Sequence, residues 1–544
     1  MPMQKTTKVS SPQLIHSCRL IIASNRGPVE YQLTRDKTLK ARRGAGEMVR
    51  ALTDVGNRMD ATWVAIAMTE GDRLATQQAQ QHEGLLPSLL PGQKMHLRYV
   101  SIAKEAYHKH YDKISHELLW FLQHYMYDPT QDAASAKQLQ DTWENGYTIA
   151  NQAIAHAVNA EIEREQTVPV VMLQDYHLYL APAMIRQRHP SILMQHFIHI
   201  PWPDIRCWHF LPSKIAQAIY QGLVSNDIIG FQTERDVSNF LEGARTLLDG
   251  AVVDFEEGAV WWQGHRTQTR AYPISISVTE ERKVINSAAG KRAAETIKPL
   301  LREYTIMRVD QMEPTKNLVR GFQAYAQVLE KHPELHRKVV FLAFLMPSRR
   351  TLPMYRRFDA DVRSSIDEIN HMYGTDDWMP IQSFFSNDRI RTLAAMQFYD
   401  VLLVNPIIDG MNLVVKEGAV VNQCDGVIVL SRTAGAFHQL TKGLIPTSPI
   451  DVEETAEALY KALTLSADER KIKAATVRQA VERSDLTRWM ARQLHDINDL
   501  LDRTFTNLNL SSLKAQELLL QPQSFKPAST VEADELLLVR SKTF

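Results

Sequence analysis

Short unbroken apolar runs, each closed by a polar turn, alternate along this chain with stretches whose apolar positions recur every three or four residues. Runs of the first kind predict buried parallel strands, and stretches of the second kind predict helices. The predicted strands are Arg19 to Ser24, Thr62 to Met68, Val168 to Leu173, Gln195 to Ile200 and Asp227 to Phe231, then Tyr304 to Val309, Val339 to Leu345, Val401 to Val404 and Val427 to Leu430. Helical patterns cover Lys104 to Tyr127, Trp143 to Val158, Glu281 to Glu303, a stretch opening at Leu318, and Ser484 to Leu501, where Leu486, Trp489, Leu494 and Ile497 share one stripe. Ala251 to Thr269 reads as a hairpin region, and the glutamine-rich piece from Ala75 to His82 as an exposed insertion. Strands alternating with helices predict an α/β fold of doubly wound parallel sheets.

The chain is too long for one core, so two large domains are expected. The pattern places a flexible leader at 1–18, a first α/β domain at 19–278, a second at 279–483, an amphipathic helix at 484–503 that is free to cross back to the first domain, and a tail at 504–544.

Polar residues collect where the predicted strands end, the side on which open α/β sheets keep their ligands. Val401 to Glu417 is the strongest such stretch: a buried strand, a turn with Pro406, Asp409 and Gly410, and a helix start whose unpaired amides suit a diphosphate. Asp409 reads there either as a site residue or as an ordinary helix cap. Glu417, further into that helix, is within reach of a sugar hydroxyl. Gly44-Ala45-Gly46-Glu47, beside Arg42 and Arg43, is a second candidate phosphate cradle. Asp175 follows a strand, His199 is held at a strand end by Pro201 and Pro203, and Arg349 with Arg350 forms a basic pair after another.

Lys plus Arg and Asp plus Glu each number 62, so bulk charge favours neither nucleic acid nor an acidic membrane as partner. Cys18, Cys207 and Cys424 are far apart, which fits reduced thiols in a cytoplasmic protein and indicates neither disulfides nor a zinc site. No apolar stretch reaches the ~18 to 20 residues a membrane span needs.

Several strings together resemble glycosyltransferase family 20, the trehalose-6-phosphate synthases: Ser24-Asn25-Arg26, Asp175-Tyr176-His177-Leu178, His199-Ile200-Pro201, Gly230-Phe231-Gln232-Thr233-Glu234, Tyr272-Pro273-Ile274, Asp409 to Val414 with Lys416-Glu417, and Leu430-Ser431 with Ala434-Gly435-Ala436. The resemblance spans roughly Leu20 to Leu501. It implies a GT-B fold, two Rossmann-like domains facing across a cleft, with the acceptor held by the first and the nucleotide-sugar by the second. It also implies transfer of glucose from a nucleotide-glucose, usually UDP-glucose, to glucose 6-phosphate with retention, without metal or cofactor. Carried over by position, His199, Asp175, Lys316 and Asp409 fall at the reaction centre. Gly44, Gly46, Lys316, Asp409, Gly410, Met411, Asn412, Leu413, Val414 and Glu417 fall at the donor, and Arg26, Tyr111, Trp120 and Arg350 at the acceptor. Homo-oligomerisation is left open.

Three departures stand out. Gln311 occupies the place of a family arginine five residues before the lysine, and Arg308 is a compensating cation only if the turn is rearranged. Ala45 replaces one of two paired glycines, and Ala65-Ile66-Ala67-Met68 replaces a tryptophan-bearing turn. The last two changes also resemble the related pseudo-glycosyltransferase validoxylamine phosphate synthase, which lacks a counterpart of Tyr111. Acceptors such as glycerol 3-phosphate or a cyclitol phosphate, and a catalytically weakened binding protein, are therefore the alternative expectations.

Overall fold

The computed structural model describes residues 18–520, apart from 37, 45–48, 50, 54–59, 80–83, 87–94, 131–135, 166–168 and 350–351; for 43 and 504–520 it describes the backbone alone.

Two large sheets carry the described residues. The first is ordered His96–Val100, Ala61–Ile66, Leu20–Ser24, Val170–Gln174, Leu193–Phe197, Ile228–Phe231, His265–Ala271, Ala259–Trp262, Val252–Asp254. Its strands are parallel as far as His265–Ala271, and the last two extend it as an antiparallel hairpin. The second is wholly parallel, ordered Ile381–Phe384, Val339–Met346, Tyr304–Gln311, Val401–Val404, Val427–Ser431, Ile445–Thr447. The inner strands are covered on both faces: LIIAS, ATWVAI, VVMLQ, LMQHF and VLLV are buried at every position. That double coverage is why they read as continuous apolar runs rather than alternating ones.

In both sheets the third, second and first strands run outward on one side and the later strands on the other. The order therefore reverses between Leu20–Ser24 and Val170–Gln174 in the first sheet, and between Tyr304–Gln311 and Val401–Val404 in the second. A doubly wound sheet opens its ligand crevice at such a reversal, because the flanking helices leave on opposite faces. Arg26 and Asp175 follow the first pair of strands, Lys316 and Asp409 the second.

One apolar cluster unites the sheets, with Phe197, Ile274 and Ile276 packed in the same core as Leu402, Val404, Met411 and Val415. The helix Leu486–Leu520 returns to the first sheet: Trp489 Nε1 donates to the Tyr272 carbonyl at 3.0 Å, Gln195 Nε2 to Gln493 Oε1 at 2.9 Å, and Trp489 meets Phe197 edge to face.

Three local expectations change. The glutamine-rich piece is partly the helix Glu70–Ala79, with Ala75 and Ala79 buried against the core; residues 80–83 lie outside the described ones. Glu281 to Glu303 is two helices, Val278–Asn286 and Ala288–Ile297, divided by Ser287, whose hydroxyl caps the second through the Gly290 amide. Lys104 to Tyr127 contains a wide-turn π-helical stretch, Lys109–Leu119, between short α-helical pieces. Among the described residues no helix is long and apolar enough to cross a membrane.

Candidate active site

In the second domain the turn after Tyr304–Gln311 meets the turn after Val401–Val404. Lys316 Nζ forms a close ion pair with Asp409 Oδ2, which also accepts from Asn412 Nδ2 at 3.1 Å. Burial opposes the charge on Lys316, but Asp409, Asp310 and Glu313 outweigh it and hold the ammonium above its ordinary pKa. Burial likewise works against the Asp409 carboxylate, and Lys316 overrides it, keeping the acid below its usual range. Asp409 is not the helix cap: Asn412, at φ 69°, receives the Val415 amide at 3.4 Å and starts the helix Leu413–Val421, leaving Asp409 to Lys316. Met411 is buried and its carbonyl accepts from the Ala436 amide, while Leu413, Val414 and Glu417 are half-buried on that helix.

Gly410 touches the first domain. A Cβ there would lie 2.2 Å from the His199 carbonyl oxygen, so only glycine permits the two backbones to approach this closely. His199 Nε2 shares a hydrogen with Gln174 Oε1 at 3.1 Å, and its own amide donates to Asp175 Oδ1 at 3.2 Å. Burial lowers the His199 imidazole to about 3, and it raises the Asp175 carboxyl to about 7 despite the amides of His199 and Tyr176. Asp175 has φ 70° and ψ 174°, a region nearly confined to glycine; such strain costs roughly 1–3 kcal/mol and persists where neighbours impose it.

The first domain adds an aromatic and imidazole wall. Tyr111 stacks on Tyr107 and His177 and meets His116 edge-on at 4.2 Å between centroids. Trp120 stacks on His124, whose Nδ1 donates to the Trp120 carbonyl at 2.7 Å. Burial is the largest cause holding His116 and His177 uncharged, with Arg349 and Arg26 adding to it, and it takes His124 to about 4. Arg26 itself is exposed.

Arg349 crosses from the second domain to this wall. Its guanidinium lies 5.0 Å from the Trp120 ring centroid and 5.5 Å from that of Tyr355. Glu313 Oε1 anchors it, accepting from Arg349 Nη1 at 2.6 Å and from Ser348 Oγ at 2.9 Å. Arg350, the acceptor candidate, and Gly46 both lie outside the described residues. Sequence reasoning saw the arginine pair and carried the acceptor role to Arg350, and it missed Glu313, His116 and His124. The signal for Glu313 was its place three residues before Lys316 in one turn.

Gly44 follows the hairpin of Val29–Leu33 with Leu39–Arg43, and its amide donates to the Pro28 carbonyl at 2.7 Å; the rest of that candidate cradle, 45–47, lies outside the described residues. Arg42 and Arg43 belong to that hairpin strand. The condition under which Arg308 would replace the missing cation is not met. Arg308 is fully buried, donating to Asp310 Oδ2 at 3.0 Å, Asn405 Oδ1 at 3.1 Å and the carbonyls of Lys316 and Leu318, while Gln311 is exposed at the strand end.

The chain is 29% identical over 486 residues to the bifunctional trehalose-6-phosphate synthase/phosphatase of Thermoproteus tenax, covering 87% of this chain and 62% of that relative. It is 27% identical over 480 residues to the validamine 7-phosphate valienyltransferase of Streptomyces hygroscopicus subsp. jinggangensis, covering 87% and 93%. The solved structure "Trehalose-6-phosphate from E. coli bound with UDP-2-fluoro glucose" superposes with TM-score 0.76 at 25% identity, over 88% of this chain and 99% of that one. Its neighbours are GT-B enzymes, and its paired sheets are of that fold. The family model matching residues 18–499 is that of glycosyltransferase family 20, and the chain belongs to that family of glycosyltransferases.

Proposed function

We propose that this enzyme moves glucose, with retention, from UDP-glucose to glucose 6-phosphate and so makes trehalose 6-phosphate in the cytoplasm. The observation that carries the reading is the meeting of the Lys316–Asp409 pair and the Gly410 turn with His199 and Asp175, while Arg349 reaches over to Trp120.

Departure of UDP builds negative charge on the diphosphate. Lys316, charged throughout the neutral range, and the first-turn amides of Leu413–Val421 stabilise it, and no metal is invoked. Asp409 orients the lysine and offers an acceptor to a donor-sugar hydroxyl, and Glu417 does so for the ribose. His199, neutral, bonds the donor sugar without adding charge. Asp175, near 7, exchanges a hydrogen bond with the incoming sugar as donor or acceptor. Arg349 and Arg26 take the acceptor phosphate, with Tyr111 and Trp120 against the sugar ring.

The reading is supported by the name of the Thermoproteus relative and by the UDP-2-fluoro glucose of the E. coli structure. Incubation with UDP-glucose and glucose 6-phosphate should release UDP and a disaccharide phosphate by mass. Absence of both, with other nucleotide-glucoses also inert, overturns it.

Gln311 favours a second reading. An exposed neutral side chain at the donor turn suits a different donor or acceptor pair, and the valienyltransferase relative has such chemistry in its name. A panel of sugar, glycerol and cyclitol phosphates separates the two. A catalytically weakened homologue is distinguished by Gln311→Arg: a rise from near zero turnover supports it.

A further inference from the structure

Lys416 is fully buried, in the helix Leu413–Val421 that leaves the Asp409 to Asn412 turn. Its Nζ donates to the Ile274 carbonyl at 2.6 Å and to Gln439 Oε1 at 2.8 Å; among the described residues no carboxylate pairs with it. An ammonium taken from water without a counter-charge is a net cost, and an apolar side chain of similar length would avoid it. Burial alone brings its pKa down to about 7. Fold stability therefore gives no reason for a lysine here.

Its partners lie on two separate segments. Ile274 belongs to the irregular segment that follows the strand His265–Ala271 out of the first domain, and Gln439 to Ala436–Leu440, beside which Gly435 packs on the Gly410 carbonyl. The Ile274 amide donates to Gln232 Oε1 at 3.0 Å, and Gln232 Nε2 donates to the His199 carbonyl at 3.3 Å. That same carbonyl is the one Gly410 abuts. Two paths thus connect Lys416 to His199: one through Ile274 and Gln232, the other through its own helix and Gly410. Together they close a ring across the domain boundary.

We infer that Lys416 is a positioning residue for glycosyl transfer, pinning the linker at Ile274 to the donor helix so that His199 is held in register with the Gly410 turn. The inference rests on the transfer reaction proposed above. Its function is geometric, since the buried ammonium touches no substrate.

Lys416→Met in the full chain removes the donors and keeps the length. The melting temperature should stay level or rise, UDP affinity by calorimetry should stay within about threefold, and kcat should fall by about tenfold or more with both KM values little changed. Adding Gln232→Leu should lower kcat no further, because both changes cut one ring. A kcat within about threefold of the parent overturns the inference, as does a kcat loss that tracks a loss of melting temperature in both Lys416→Met and Gln439→Leu. A parent that turns over no nucleotide-glucose defeats the proposed reaction instead. The pin is then judged by small-angle scattering of the UDP-saturated proteins: a larger radius of gyration for Lys416→Met supports it, and equal radii overturn it.

Discussion

Lys316 faces the donor crevice with Asp409 and Glu313 near it, yet its charge is secure because those acids outweigh burial. Removing it leaves the departing diphosphate to backbone amides. Lys316→Met should lower kcat by about 10²- to 10³-fold, measured as UDP release at saturating donor. Asp175 gives a pH prediction of definite sign. Its pKa rises from about 4 unfolded to about 7 folded, so its stabilising contribution is complete below about pH 4 and is lost as pH climbs through 7. Asp175→Asn should therefore gain melting temperature relative to the parent between pH 4 and pH 7, and a constant difference would refute the shift. Residues of this kind were legible by type and spacing; their partners were not. Arg349 reads in the sequence only as half of a basic pair, and its place at the wall follows from Glu313, whose capture of its guanidinium is a tertiary fact.

At the level of elements, the strand Tyr304–Gln311, the turn 313–317 and the helix Leu318–Lys331 are tied around one buried guanidinium. Arg308 donates to both the Lys316 and Leu318 carbonyls, and Gly321 leaves it room: a Cβ there would come within 2.2 Å of Nη1. Because that guanidinium is fixed by several bonds, it cannot swing aside. Gly321→Ala should cost about 1–3 kcal/mol in chemical unfolding and weaken UDP binding together with stability. Strands and their carboxyl-end loops were evident from apolar runs and proline or glycine punctuation. Why Arg308 disappears into the core was not, since the pattern of a buried strand gives no sign that one of its positions holds an arginine matched to Asp310 and Asn405.

Across the whole molecule, neutral histidines line the first domain. His110, His124 and His196 are buried, and burial takes them to about 3, 4 and 4. The unfolded chain binds their protons first, so their contribution to stability is full above about pH 6.5 and is lost as pH falls toward 4. Urea midpoints should decline over that interval, more gently for His124→Phe. The returning helix is a second global element: Trp489 is buried, and Trp489→Ala should cost about 3–5 kcal/mol. The amphipathic stripe announced this helix, but only the Tyr272 and Gln195 contacts say which sheet receives it.

That return has a consequence during synthesis. Gln195 waits for a partner 298 positions later in the chain, which at about 5–20 residues per second leaves this face of the nascent first domain uncovered on the ribosome for about 15–60 s. The apolar surface meant for Trp489 is bare throughout that interval, so the emergence of the helix Leu486–Leu520 also ends the period in which a chaperone has something to hold on that face.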